Sequence, residues 1–153
     1  MRPSMSRTIL GGLAGTIVMT LMMYFVSPMM GVRTDIAASL GTMLGGSWTL
    51  GMMMHFVNGA IIFPLIYAFV LFRFLPGGPL VKGVVWGVIL WLLAQVMVMP
   101  MMGAGFFSSA MGGMPAVVGS FLGHFIYGAL LGWIGGSTPG SAINRPVSNR
   151  YAV

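Results

Sequence analysis

The sequence predicts an all-α integral membrane protein whose four transmembrane helices form two tandem hairpins. Composition is the first reason: 58% of the 153 residues are hydrophobic, 5% are charged and the mean hydropathy is +0.98. A soluble domain carries about a quarter of its residues as charges. The second reason is four apolar runs, about residues 8–27, 48–72, 80–99 and 115–136, each close to the roughly 20 residues a helix needs to cross a bilayer. Lipid offers no partner to backbone polar groups, so each run must be a helix. The polar–apolar alternation of a membrane barrel is missing. The third reason is recurrence: Gly11, Gly15 and Pro28-Met29-Met30-Gly31 return 72 positions later as Gly83, Gly87 and Pro100-Met101-Met102-Gly103. His55-Phe56 and Gly59-Ala60 return 69 positions later as His124-Phe125 and Gly128-Ala129. Each copy holds two spans, an even number, so the copies share one orientation about an axis along the membrane normal.

Span one begins behind Arg2 and Arg7 and imitates a signal peptide. Its apolar run is longer than a signal core and no small-x-small cleavage site precedes Pro28, which predicts an uncleaved span. Gly11 and Gly15 are spaced for close helix approach, and Pro28 should end the helix. In the connection that follows, Thr34-Asp35 starts a short interfacial helix with Ile36, Leu40, Met43 and Leu44 on one side, stopped by Gly45-Gly46. Span two opens near Trp48 and carries His55, Asn58, Pro64 and Tyr67, with a bend expected at Pro64. The turn Pro76-Gly77-Gly78-Pro79 is short, so spans two and three should be antiparallel neighbours. Span three carries the second glycine pair, Gly83 and Gly87, then Trp86, Trp91 and Gln95, and leaves at Pro100. A second short helix is expected over residues 106–111. Span four carries Ser120, His124 and Tyr127, and the polar segment 137–153 reads as a disordered cytoplasmic tail.

The formal charge is +6, and its placement is a topology signal. Arg2, Arg7, Arg73, Lys82, Arg145 and Arg150 flank one side of the spans, whereas Arg33 lies on the other beside the lone acid, Asp35. The positive-inside rule then puts both termini in the cytoplasm, and the expected location is the cell inner (plasma) membrane. No basic patch with interleaved aromatics exists, so nucleic acid is not a partner. The partners to expect are the lipid bilayer and, through glycine-lined faces, a homo-oligomer or larger membrane complex. Cysteine is absent, which removes disulfides and thiolate chemistry.

Two residues stand out as a candidate site. His55 and His124 occupy similar depths in spans two and four, which lie diagonally in an up-down bundle. A helical wheel places His55 with Gly51, Gly59 and Ile62, and His124 with Ser120, Gly128 and Leu131, so both should face inward. An ionisable group inside the membrane marks a functional site by default. Two neutral imidazoles across a bundle suit haem b or a metal ion; the plainer reading is a core hydrogen bond, to Asn58 for His55 and to Tyr127 for His124. All of the 17 methionines except Met1 and Met5 fall in the same half of the membrane or its connections. Thioethers suit Cu(I), with Met52 and Met97 as ligands beside the histidines, but methionine is also a flexible core filler. Enzyme chemistry is not supplied, because one acid leaves no carboxylate pair. Thr16, Thr20 and Gln95 read as interhelical hydrogen-bond donors. The expected role is therefore a non-enzymatic accessory, assembly or scaffold component; a haem b- or copper-binding protein is the alternative, and a small-solute channel or carrier a further one.

His-Phe-x-x-Gly-Ala, present at 55–60 and again at 124–129 within Gly123-His124-Phe125-Ile126-Tyr127-Gly128-Ala129-Leu130-Leu131-Gly132, resembles the helices of small four-span bacterial and archaeal membrane proteins classed as domains of unknown function. The resemblance implies the four-span fold and transfers no catalytic residue.

Overall fold

The computed structural model describes residues 3–33 and 35–136, which form five helices and no strand. Four are long and apolar enough to cross a membrane: α1 (Met5–Met30), α3 (Trp48–Leu71), α4 (Pro79–Met101) and α5 (Gly113–Gly135). The fifth, α2 (Ile36–Met43), lies in the connection between α1 and α3. This is the architecture of a multi-pass membrane protein. The expected tail, and Thr34 as a helix start, lie outside the described residues.

Three prolines shape the spans, and they do not end them where expected. Pro28, Pro64 and Pro100 each stand two residues after a π turn, at Met22–Val26, Asn58–Ile62 and Ala94–Val98 respectively. A proline ring clashes with the carbonyl four residues earlier and supplies no N–H. Widening the preceding turn to an i→i+5 pattern makes room for the ring, so the helix continues instead of breaking. Thus α1 runs through Pro28 to Met30 and stops at Gly31, whose φ is 76°. In α4, likewise, the helix passes Pro100 and ends at Met101. The same device serves Pro64 inside α3, where a bend was expected. Helix α5 has no internal π turn and is regular throughout.

Backbone packing follows the small residues. A methyl group on Gly83 would stand 2.2 Å from the Gly128 carbonyl oxygen and 2.6 Å from Gly132 Cα, so α4 and α5 touch backbone to backbone. On the other side of α5, a methyl group on Gly11 or on Gly15 would lie 3.1 Å from Leu131 Cα or Tyr127 Cα, which seats α1. Gly12 and Gly59 bring α1 equally close to α3 through Pro64 and Thr16. The spatial order is therefore α3, α1, α5, α4. The expected neighbours α3 and α4 share no extended backbone interface, because the glycine face of α4 is spent on α5. Side chains tie them instead: near the connecting turn Tyr67 donates to the Pro79 carbonyl (3.1 Å) and Lys82 to the Phe72 carbonyl, and further along the spans Phe63 meets Trp86 edge to face.

The bundle is consequently solid at one end and hollow at the other. Tyr67, Phe72, Trp86, Leu90, Tyr127 and Leu131 form the packed core toward the turn end. At the opposite end α2, the short helix the sequence led us to expect in this connection, borders the hollow through Ile36, Ser39 and Leu40. Asp35 caps it by accepting from the Ala38 N–H (3.0 Å), and the same carboxylate accepts from Tyr24 (3.1 Å) of α1 and Trp48 (3.0 Å) of α3. Burial pushes the Asp35 carboxyl up, but the bonds from Ala38, Trp48 and Tyr24 outweigh it and hold the group below its ordinary 3.8. A depressed pKa stabilises fully above that ordinary value and loses its contribution as pH falls through the lower folded value. The Trp48 fluorescence of the detergent-solubilised protein should therefore be constant at neutral pH and change only below about pH 4. Asp35→Asn should abolish that transition, and a transition that persists in it would assign the change elsewhere.

The connection between α4 and α5 departs from expectation. In place of a helix over residues 106–111 there is one 3₁₀ turn, Phe106–Ser108, in which Phe107 (φ 49°) and Ser108 (φ 52°) are both left-handed. Each such residue costs about 1–3 kcal/mol unless its surroundings hold it. Here the Ser108 hydroxyl donates to Gln95 Oε1 (3.1 Å), and the Phe107 ring packs edge-on to Trp91.

Candidate functional site

The hollow end encloses a cavity of about 450 Å³ bounded by all four spans, α2 and the strained turn. The proline-linked π turns supply much of its wall: Met22 and Met23 from α1, Asn58 and Gly59 from α3, and Ala94, Gln95, Met97 and Val98 from α4. Both histidines line it. Nine methionines do too, and among the lining residues there is no lysine, arginine, aspartate or glutamate. The wall is thus apolar, rich in sulfur and without formal charge.

Each imidazole is fixed by one nitrogen. His124 Nδ1 lies 2.8 Å from the Ser120 carbonyl oxygen, one turn back on α5. A carbonyl can only accept, so Nδ1 carries the hydrogen and Nε2 keeps its lone pair. His55 Nε2 lies 3.1 Å from the Thr20 hydroxyl of α1, whose single proton goes to the Thr16 carbonyl (2.8 Å). The network therefore assigns the hydrogen to His55 Nε2, which donates to Thr20, and leaves Nδ1 bare. These contacts replace the partners the sequence suggested: Asn58 does not hold His55, and Tyr127 instead donates to the Gly59 carbonyl (2.7 Å), both residues lying in the cavity wall. The wheel was right for α5, where Gly128 and Leu131 are buried. It failed on α3 at the last residue of the π turn, where Ile62 is turned out and 40% exposed.

Gln95 is the third polar element. It is fully buried, its amide nitrogen donates to the Ser120 hydroxyl (3.2 Å) and its oxygen accepts from Ser108. This is the interhelical role expected of it. Thr20 reaches across helices as the acceptor for His55 and not as the expected donor, and Thr16 donates only within α1, to the Gly12 carbonyl (2.7 Å). Of the two methionines singled out as copper ligands, Met97 lines the cavity and Met52 does not. Met19 also lines the cavity: it precedes Thr20, and its Sδ lies 3.9 Å from where a methyl on Gly123, the residue before His124, would stand. Among the described residues no three His, Cys, Asp or Glu side chains gather as a metal cluster. What the histidines do share with metal ligands is the second nitrogen engaged by a neighbouring oxygen.

The chain matches no curated protein and no solved structure. A family profile, described as a family of unknown function (DUF6789), matches residues 3–142, nearly the whole chain. That agrees with the resemblance to a domain of unknown function read from the sequence, and the chain belongs to the DUF6789 family.

Proposed function

We propose that the protein is a non-enzymatic accessory component of the plasma membrane that works by holding an apolar guest in the hollow half of its bundle. The observation that supports this is the cavity of about 450 Å³, a volume in the range of small-molecule sites, whose polar groups converge from all four spans. The basic residues Arg7, Arg73 and Lys82 favour cytoplasmic termini, which puts the hollow end, bordered by α2, on the far side of the membrane. The repeated glycine and histidine segments favour a duplicated hairpin, with His55 and His124 contributed by equivalent spans. Haem b or copper is the competing occupant, favoured by the two bare imidazole nitrogens.

Purification in mild detergent, followed by solvent extraction with mass spectrometry, a visible spectrum and metal analysis, tests the reading. A lipophilic guest near one per protein is expected. Gly119→Phe should displace it, because Gly119 lines the cavity and has no atom nearer its Cβ position than Ser27 Oγ at 3.9 Å. The variant should keep its fold and lose the thermal stabilisation that guest confers. A guest-free preparation whose melting is unmoved by added apolar compounds would sink the proposal. A Soret band or stoichiometric copper, lost with both histidines, would transfer the site to the competing occupant.

A further inference from the structure

We infer that the cavity takes an uncharged aromatic alcohol of the hydroquinone class, whose hydroxyls donate hydrogen bonds to His55 Nδ1 and His124 Nε2. The inference rests on the cavity being a binding site and names the chemistry of its occupant.

The first step is the sense of the hydrogen bonds. Thr20 and the Ser120 carbonyl fix the imidazole hydrogens on the nitrogens turned away from a guest. Each histidine is left with a bare acceptor nitrogen. A ketone, ester or oxidised quinone would set acceptor against acceptor, and a hydrocarbon would leave both nitrogens without partners, which is costly in an apolar wall. A neutral O–H or N–H donor, or a Lewis acid, satisfies them.

Charge separates those two. No lining residue is formally charged. A copper ion would bring a positive charge, and haem b its carboxylates, into a wall with no counterion at membrane depth, where charge is expensive. A hydroquinone brings none. Its ring is suited to the nine lining methionines, since thioether sulfur packs favourably against aromatic edges. Access fits the same class: α3 and α4 both contribute wall residues yet share no extended backbone interface, so the seam between them, filled by side chains such as Phe63 and Trp86, is the route this inference gives a lipid-dissolved guest.

The test compares three probes of one shape: a short-chain ubiquinol kept under anaerobic conditions, its oxidised quinone, and the dimethyl ether of the quinol. Binding to the full chain in nanodiscs is read by quenching of tryptophan fluorescence. The quinol should bind roughly tenfold tighter or more than either competitor, the size expected for two modest hydrogen bonds. His55→Phe and His124→Phe should each erode that preference while leaving the ether's binding in place. Because the comparison on the unaltered protein needs no variant, a folding failure in either would not blunt it. Equal binding of all three probes would overturn the donor inference and leave the apolar-guest reading intact. If no probe bound and the preparation carried haem or copper, the occupant would be a Lewis acid and the inference wrong. With no probe bound and the preparation empty, both readings would fall.

Discussion

Gly128→Ala should lose about 3 kcal/mol or more of bundle stability, and Gly83→Ala as much, at the upper end of what overpacking costs. A methyl on Gly128 would lie 2.3 Å from the Gly83 carbonyl oxygen and 3.0 Å from Gly87 Cα. These neighbours are backbone, so relief requires α4 to slide away from α5. Lipid gives little hydrophobic force to hold helices together, and close packing has to supply it. Separation therefore forfeits the interface. On the same helix Gly119→Ala meets nothing closer than 3.9 Å, and should be neutral or gain up to about 1 kcal/mol from helix propensity. Reversible unfolding in mixed micelles, titrated with a denaturing detergent, measures all three. Equal midpoints for Gly119→Ala and Gly128→Ala would mean that α4 and α5 do not cross at these glycines.

Gln95→Ala should cost about 2–4 kcal/mol and release the turn between α4 and α5. The truncation opens a void and leaves the Ser120 and Ser108 hydroxyls without the amide that joins them. The left-handed pair Phe107 and Ser108 then loses the bond that holds it. Protease cutting in the turn should accelerate while helix content stays unchanged. Ser108→Ala removes the same tether without the void, so it should free the turn at a cost of only about 1 kcal/mol. A cutting rate that neither variant alters would show that the Gln95 amide does not restrain the turn.

Composition, span length and glycine spacing made the four helices readable, because each rests on a rule applying to the segment by itself. Asp35 as the α2 cap is of the same kind. The inward histidines were legible for a related reason, since small residues beside a polar one mark a packed face. What escaped was anything set by two segments together or by a changed helical period. A π turn adds a residue to one turn and rotates all that follows by about 100°, so a uniform wheel placed Leu131 on regular α5 correctly and Ile62 on α3 wrongly. The prolines at 28, 64 and 100 were visible, but they were read as stops and bends instead of as causes of wider turns. The pairing of His55 with Thr20 depends on how α1 lies against α3, and the α3–α4 seam on glycines of α4 facing α5; no single segment encodes either.

The uncharged wall of the cavity also determines what membrane voltage can do here. One elementary charge crossing a field of 100 mV exchanges about 2.3 kcal/mol, yet an occupant without charge, moving among residues without charge, exchanges none. Filling and emptying would then follow the concentration of guest in the lipid alone, and proceed alike in energised and depolarised cells.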